Sequence, residues 1–504
     1  MWYGLENLIG FVSSMVTSIM IARTLGPTKM GYFIYISWIA TIAGSLGSVG
    51  LPTVTRKYMA EFLGGGDRAT ARFIYFRTLL LQSVMSAVAT LAAGIWVLHD
   101  APHEYRLAAF LLILSILPAM INFISAQANV AAETLSANLA GSVASTITFF
   151  VLTVLTVLLH WGVTGIAVAM FCMRLADFGV RIVPTMRNVL SWESENATPP
   201  PDLNARMTRF ALQSVAAMLL SLIVWDRSEL FLLKRLSPDI RQIAFYSVAF
   251  SLAERLLTFP AVFAEATAAS IFAQFGRDRS RLPAMTAASV RYLGMTSIPI
   301  HVIAVALAGP VLLTLYGSKY AGAVVVATVA PLLCLPKAFM GPIQSFFAST
   351  DEQNYFLICT GVASFIDIGV AWWLIPAHGA LGACIGSGVA QGTAVIAIWI
   401  IGIRKYKIQL PWSFFARITA ISTAASLASY AVAVRLTAPW SLVAGSIVAI
   451  LLFFGLGSFF KLLEPEDVGR FSGLTASLPK RFSRPLDFIF VRLSKPVAPD
   501  SAAV

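Results

Sequence analysis

Two stretches of the chain decide its fold, ARTLGPTKMGYFIY at 22–35 and LKRLSPDIRQIAFY at 233–246. They align without gaps, with leucine, proline and tyrosine at matching positions. Pro27 falls on Pro238 at a spacing of 211 residues. This agreement predicts that the chain contains two copies of one structural unit, because weak internal similarity of this kind marks repeated folds.

The composition around these stretches is that of a polytopic membrane protein. Of the 504 residues, 58% are hydrophobic and 12% are charged, whereas about a quarter of the residues of a soluble domain are charged. Apolar runs of about 20 residues, long enough to cross a bilayer, predict about fourteen helices. They lie near 5–23, 31–54, 74–98, 107–127, 137–160, 163–187, 207–233, 243–266, 285–315, 322–347, 354–375, 380–402, 412–435 and 438–462.

A second pair of blocks supports the repeat. WGVTGIAVA at 161–169 aligns with HGALGACIG at 378–386 at a spacing of 217 residues, and Gly162 falls on Gly379. Each copy contains six predicted spans, and an even number of spans keeps the orientation of the chain. We therefore predict an all-α fold with two pseudo-symmetric parallel six-helix bundles and two C-terminal helices, an organisation typical of alternating-access transporters.

Charge patterns divide the chain further. SWESENATPPPDLNAR at 191–206 is polar and proline-rich, as linkers are. We predict an N-terminal bundle at 1–190, this cytoplasmic linker at 191–206, a C-terminal bundle at 207–403, the two additional helices at 404–462 and a basic cytoplasmic tail at 463–504.

Basic residues also predict the orientation. Loops rich in Lys and Arg alternate with poorer ones, and the rich set should face the cytoplasm together with both termini. The net charge of +12 follows from this asymmetry, so we do not expect nucleic acid as a partner. The cysteines and histidines are scattered singly, and we expect no metal site.

The order of several motifs resembles a known family. These motifs are IARTLGPTKMGYFIYI at 21–36, GSVGLPTVTRKYMAE at 47–61, VWDRSELFLLKRLSPDIRQIAFYSVAFSLAERL at 224–256, LLTLYGSKYAGA at 312–323 and LIPAHGALGACIGSGVAQG at 374–392. Together they resemble the polysaccharide-transport branch, the Wzx-like oligosaccharide flippases, of the multidrug, oligosaccharidyl-lipid and polysaccharide exporter superfamily. The resemblance covers roughly residues 5–405.

This resemblance implies a flippase rather than an enzyme. It would move an undecaprenyl-diphosphate-linked oligosaccharide across a bacterial inner membrane for surface polysaccharide biosynthesis, by alternating access and without a cofactor. Its implied partners are the lipid-linked oligosaccharide, membrane lipids and polysaccharide assembly proteins. GGGDRAT at 64–70 lacks the ending of a phosphate-binding loop, so the expected energy source is a gradient of an ion such as H⁺ or Na⁺, the membrane potential, or consumption of the product on the far side.

Charged residues inside the predicted spans form the candidate site. An unpaired charge at the bilayer centre costs about 2.5–3.5 kcal/mol, so each should face a cavity or a partner. Arg174, Asp177 and Arg181 are three and four positions apart, which places them on one helix face. The candidate substrate-binding residues are Arg174, Arg181, Arg255 and Lys337, and the candidates for gating or coupling are Asp177, Asp226, Arg227, Glu229, Glu254 and Asp367.

A diphosphate suits such a site, because guanidinium groups bind phosphate oxygens bidentately and a lysine adds a point charge. Sugar hydroxyls would require amides such as Gln82 and Asn122. The structural alternative is that the charges only pair with one another to fix helix register, and that the amides only join helices.

Other functions stay open at this point. A cation-coupled drug or small-molecule exporter could use the same fold. A membrane glycosyltransferase is less favoured, because the predicted outer loops are too short for a catalytic domain. A non-transporting scaffold acting through the basic tail is the third alternative.

Overall fold

The structure is a computed structural model that describes residues 2–192, 199–225, 227–437, 439–464 and 492–494. Part of the predicted linker, most of the predicted tail and Asp226 lie outside these ranges. The described residues form eighteen α-helices, four short 3-10 helices and a single isolated bridge between Leu463 and Ser494. The predicted all-α fold is therefore confirmed.

The α-helices follow one another along the whole described chain. In order they are α1 (Trp2–Ser48), α2 (Leu51–Gly64), α3 (Arg68–Asp100), α4 (Arg106–Leu114), α5 (Ile116–Ala131), α6 (Ser136–Leu158), α7 (Gly162–Leu190), α8 (Leu203–Trp225), α9 (Glu229–Leu236), α10 (Arg241–Leu256), α11 (Thr258–Arg277), α12 (Leu282–Tyr316), α13 (Val324–Cys334), α14 (Met340–Ser349), α15 (Asn354–His378), α16 (Ala380–Tyr406), α17 (Trp412–Ala433) and α18 (Trp440–Phe459). The 3-10 helices are His103–Tyr105, Arg279–Arg281, Ser318–Ala323 and Leu335–Phe339.

These helices make the protein a multi-pass membrane protein. Among the described residues, ten helical segments are long and apolar enough to cross a membrane. The first predicted span and most of the second lie in α1, whose backbone leaves the helical region at Gly26 (φ 69°, ψ 171°), directly before Pro27. The predicted count of fourteen spans stays a prediction.

Prolines break two helices that the sequence predicts as continuous spans. The first break is at Ser115, between α4 and α5, and the second is at Leu257, between α10 and α11. Each lies three residues before a proline, Pro118 and Pro260 respectively. A proline ring clashes with the carbonyl one turn earlier and lacks the N–H that would bond to it, so the helix is interrupted upstream of the proline.

The predicted C-terminal end of the second span is wrong. The sequence placed it at 31–54, but α1 ends at Ser48 and a tight turn follows, with positive φ at Val49 and at Gly50 (φ 71°). The next helix, α2, occupies part of the region predicted as a loop. Tyr58 and Met59 on α2 are buried against α3 and α5, because this short helix has one apolar face and one basic face.

Matching turns support the predicted repeat. Gly162 (φ 61°) lies between α6 and α7, and Gly379 (φ 52°) lies between α15 and α16. A Cβ on Gly165 would come within 2.5 Å of the Thr156 side chain, and a Cβ on Gly382 within 2.6 Å of the backbone of the preceding helix. Both helix pairs therefore form tight hairpins of the same design.

Packing divides the chain into two compact units, Met1–Ala244 and Phe245–Val504. The core of the first unit includes Tyr58, Ile74 and Tyr75, where α2, α3 and α5 pack together. In the second unit, α17 packs against α12 and α18.

Candidate functional site

A polar cavity lies inside the first unit, between α1, α4, α5 and α7. Its volume is about 270 Å³, slightly below the range of about 300–1,000 Å³ found for small-molecule pockets. The α1 wall is formed by Ser37, Thr41 and Ser45, which follow one another at intervals of four residues and so share one helix face. A cavity of this size suits a charged headgroup and the atoms next to it rather than a whole oligosaccharide.

The α7 wall of the cavity carries the predicted charged triplet Arg174, Asp177 and Arg181. Arg181 Nη2 lies 2.5 Å from Asp177 Oδ1, and the two side chains are 13% and 18% exposed. Among the described residues, Arg174 interacts electrostatically with Asp177 but makes no hydrogen bond. The sequence left open which arginine holds the carboxylate. Since Arg181 holds it, the guanidinium group of Arg174 supplies the excess positive charge of the cavity.

Close packing of α6 fixes this ion pair. A Cβ on Gly141 would lie 2.5 Å from Asp177 Oδ1 and 2.9 Å from Arg181 Nε. Such distances are shorter than real contacts of a Cβ atom, so only glycine lets the α6 backbone approach the pair this closely.

Several polar atoms around the cavity have unused hydrogen-bonding capacity. Ser37 Oγ, Asn122 Oδ1 and Arg181 Nε are buried, and within the described part of the chain they have no hydrogen-bond partner. Thr41 donates to the carbonyl of Ser37 at 3.0 Å, which leaves the lone pairs of its oxygen available. Because buried polar groups are nearly always satisfied, this arrangement suits a polar ligand or water. It offers donors to an anion and acceptors to hydroxyl groups.

Two other predicted residues of the first unit lie at the start of α9. Glu229 is fully buried in the first turn, where the positive end of the helix dipole favours a carboxylate. Arg227 has positive φ (55°) and lies in the break between α8 and α9. The sequence predicted one continuous span at 207–233 here, and that prediction is wrong. Asp226 lies outside the described residues.

The predicted residues of the second unit are arranged differently. Lys337, in the 3-10 helix Leu335–Phe339, lies with its Nζ 3.9 Å from Glu254 Oε1, and the side chains are 27% and 30% exposed. Arg255 follows Glu254 in α10 and is half-buried. Asp367 is buried in α15, with 1% of its surface exposed. These positions agree with either an ion-pairing or a ligand-binding role.

Sequence reasoning missed the hydroxyl groups of the cavity. Ser37, Thr41, Ser45 and Ser115 were not among the candidates, although the four-residue spacing on α1 was visible. The amide of Gln82 instead donates to the carbonyl of Gly47 at 3.1 Å, so it joins α3 to α1. In the described part of the chain, no group of three or more His, Cys, Asp or Glu residues could hold a metal ion.

The sequence matches the model of a known protein family. A family model described as polysaccharide biosynthesis protein matches residues 20–325, more than half of the chain. No curated protein sequence matches the chain.

Comparison with solved structures identifies the fold. The lipid II flippase MurJ in an inward closed conformation is 14% identical, has a TM-score of 0.66 and matches over 91% of this chain and 98% of its own. An inward-facing multidrug resistance MATE family transporter of the MOP superfamily is 16% identical, with a TM-score of 0.63 over 79% of this chain and 94% of its own. A MOP superfamily transporter from Pyrococcus furiosus is 16% identical, with a TM-score of 0.54 over 80% and 94%. At these identities the likeness shows the fold, which is shared by flippases and drug exporters.

Proposed function

Because the chain belongs to the polysaccharide biosynthesis protein family, which confirms the resemblance seen in its motifs, we propose that it is a flippase for a lipid-linked oligosaccharide. It moves an undecaprenyl-diphosphate-linked sugar across the bacterial inner membrane by alternating access, for surface polysaccharide biosynthesis, and it is a transporter rather than an enzyme. The observation that carries this proposal is the polar cavity, where two arginines face one carboxylate.

The charge of the cavity suits a diphosphate. Asp177 neutralises Arg181, so Arg174 can donate two parallel hydrogen bonds to phosphate oxygens. Ser37 Oγ, which lacks a partner within the described residues, adds a donor. Asn122 Oδ1 can accept from a sugar hydroxyl. The lipid tail and the outer sugars are too large for a cavity of this volume, so the cavity binds only the headgroup.

The remaining predicted residues have proposed roles in coupling and gating. Carboxylates inside membrane-spanning segments mark ion pathways and proton relays in transporters. Binding of H⁺ or Na⁺ would therefore change the charge of these groups between access states. We assign coupling to Asp177, Glu254 and Asp367, an outer gate to Asp226, Arg227 and Glu229, and substrate binding to Arg255 and Lys337 as well.

The test is flipping of a fluorescent undecaprenyl-diphosphate oligosaccharide in proteoliposomes, read by protection of the fluorophore from an impermeant quencher. Arg174→Ala should slow flipping at least about tenfold, since a hydrogen bond to a charged group contributes about 1.5–3 kcal/mol. Arg174→Lys should recover part of the rate, because it keeps the charge and loses the bidentate geometry.

Arg56→Ala is the matched control, since Arg56 is exposed on α2 and does not line the cavity. Equal rates for Arg174→Ala and the control would exclude the cavity as the headgroup site. If the wild-type protein ignores the lipid and moves cationic dyes under a proton or sodium gradient, the flippase proposal is wrong and the exporter takes its place.

The proposed orientation has both termini in the cytoplasm. It is supported by the excess of Lys and Arg in alternate loops. Single cysteines introduced at exposed positions, Lys57 on α2 and Lys319 in the 3-10 helix Ser318–Ala323, should react with an impermeant thiol reagent from opposite sides of the membrane. Labelling from the same side would contradict the orientation.

A further inference from the structure

The first unit contains a second cavity, which is apolar. It lies between α1, α3 and α9 and has a volume of about 340 Å³, within the range of ligand pockets. Leu46 and Trp96 are nearly half exposed at its opening, so the cavity is accessible from outside. Its walls include Trp38, Ile42, Leu46, Ala89, Trp96 and Phe231.

Tyr35 is the polar member of this wall. Its side chain is 3% exposed, and its hydroxyl has no hydrogen-bond partner among the residues that the structure describes. A buried hydroxyl without a partner is costly. The hydroxyl therefore indicates a missing acceptor at one end of an otherwise apolar cavity.

Basic residues of α9 lie near aromatic rings of the cavity wall. Lys234 Nζ is 5.6 Å from the centre of the Tyr35 ring and 5.4 Å from that of Tyr32. The guanidinium carbon of Arg235 is 5.7 Å from the centre of the Phe231 ring. Within the described ranges neither basic residue forms an ion pair with a carboxylate, so both can meet an anion.

We propose that this cavity binds an anionic phospholipid of the surrounding membrane. One acyl chain fills the apolar space, and the phosphate lies on Lys234 and Arg235 and accepts a hydrogen bond from Tyr35. Asp100 is the acidic group near the Tyr35 hydroxyl. Two bases and one acid leave a single positive charge, equal and opposite to the single negative charge of a phosphodiester.

The bound lipid would join three helices. Its chain contacts α1 and α3, whereas its phosphate holds the last turn of α9, so occupancy would stabilise the packing of α9 on α1. The direct ring contact between Trp96 and Phe231, with centroids 6.5 Å apart, is the protein part of the same junction.

The test is native mass spectrometry of the full chain in detergent, titrated with phosphatidylglycerol or with phosphatidylcholine of equal chain length. Phosphatidylglycerol should be retained more tightly. Lys234→Ala and Arg235→Ala should each weaken its binding about fivefold, because a basic residue beside an anionic lipid contributes about that factor. Lys319→Ala removes an exposed charge of another region and should change nothing.

Ala43→Phe gives an independent variant. Ala43 lines the cavity, and the phenyl ring of the substituted residue would occupy the space of the acyl chain. It should abolish the lipid preference with both basic residues in place. Size-exclusion elution at the wild-type volume shows that each variant is folded.

Three results would overturn the proposal. The first is equal retention of the two phospholipids, and the second is equal loss of binding in Lys234→Ala and Lys319→Ala. The third is retention of undecaprenyl diphosphate when neither phospholipid is retained, which would assign the cavity to the tail of the transported lipid. The readout is bound lipid rather than flipping, so failure here leaves the proposed transport reaction intact.

Discussion

Gly141 provides a direct test of the ion pair in the polar cavity. Replacing it by alanine adds a methyl group 2.5 Å from Asp177 Oδ1 and 2.9 Å from Arg181 Nε. Ordinary van der Waals contact begins near 3.4 Å, so the carboxylate would have to move by about 0.9 Å. Since Arg181 Nη2 lies 2.5 Å from this oxygen, the movement disrupts a hydrogen bond between two charged groups.

The magnitude follows from two opposing effects. Gly→Ala inside a helix stabilises by about 1 kcal/mol, whereas a hydrogen bond between charged groups contributes about 1.5–3 kcal/mol. Gly179 on α7 is the matched control, because nothing lies within 4 Å of a Cβ built there. We expect Gly179→Ala to stabilise the protein and Gly141→Ala to be less stable than this control by about 2 kcal/mol.

The assay is the free energy of unfolding in mixed micelles, measured by titration with a denaturing detergent. Flipping of the lipid substrate should fall only in Gly141→Ala, since the displaced guanidinium group no longer lines the cavity in the same position. Equal stabilisation by the two substitutions would refute the reasoning, because it would mean that α6 does not pack against the pair.

Three further predictions concern other parts of the chain. Lys405 donates a hydrogen bond to Glu352 at 2.7 Å and lowers the pKa of this carboxyl below its ordinary value of 4.5. The bond therefore stabilises the folded protein at neutral pH, and this stabilisation is lost as pH falls through the lowered pKa. Glu352→Gln should reduce the unfolding free energy at neutral pH but not in strong acid. Gly162→Ala should lower the unfolding free energy by about 1 kcal/mol and Gly162→Asn by less, because φ is 61° and asparagine tolerates that region. A double-mutant cycle of Lys337→Ala and Glu254→Ala should give a coupling energy below about 1.5 kcal/mol, since the charged atoms are 3.9 Å apart, beyond hydrogen-bond distance, and a hydrogen bond to a charged group contributes about 1.5–3 kcal/mol.

Much of the helical framework could be predicted from the sequence. The break at Gly26 and the hairpin glycines Gly162 and Gly379 follow from residues whose own backbone preferences interrupt a helix. The end of α1 at Ser48 could not be predicted in this way. It depends on α2 turning away to bury Tyr58 and Met59 against α3 and α5, and a continuous apolar pattern gives no sign of that packing.

The candidate site was also only partly predictable from the sequence. The helix period alone placed Arg174, Asp177 and Arg181 on one face of α7. It could not show that Ser37, Thr41 and Ser45 lie opposite them, because the sequence of one helix does not say which neighbour it packs against. The four-residue spacing on α1 was available, but small hydroxyl residues are also common where membrane helices simply touch.

The sequence by itself determined the membrane class, the family and the residues that interrupt or charge each helix. The membrane class depends on composition and the helix breaks depend on local backbone geometry, whereas the family was recognised from the order of several motifs along the chain. Only the tertiary structure decided that Arg181 holds Asp177, that Gly141 closes on the pair and that Tyr35 lies buried beside Lys234. In a membrane, lipid is as apolar as the protein interior, so hydrophobicity does not distinguish the packed face of a helix from its lipid face, and contacts between distant helices become visible only when the helices are packed.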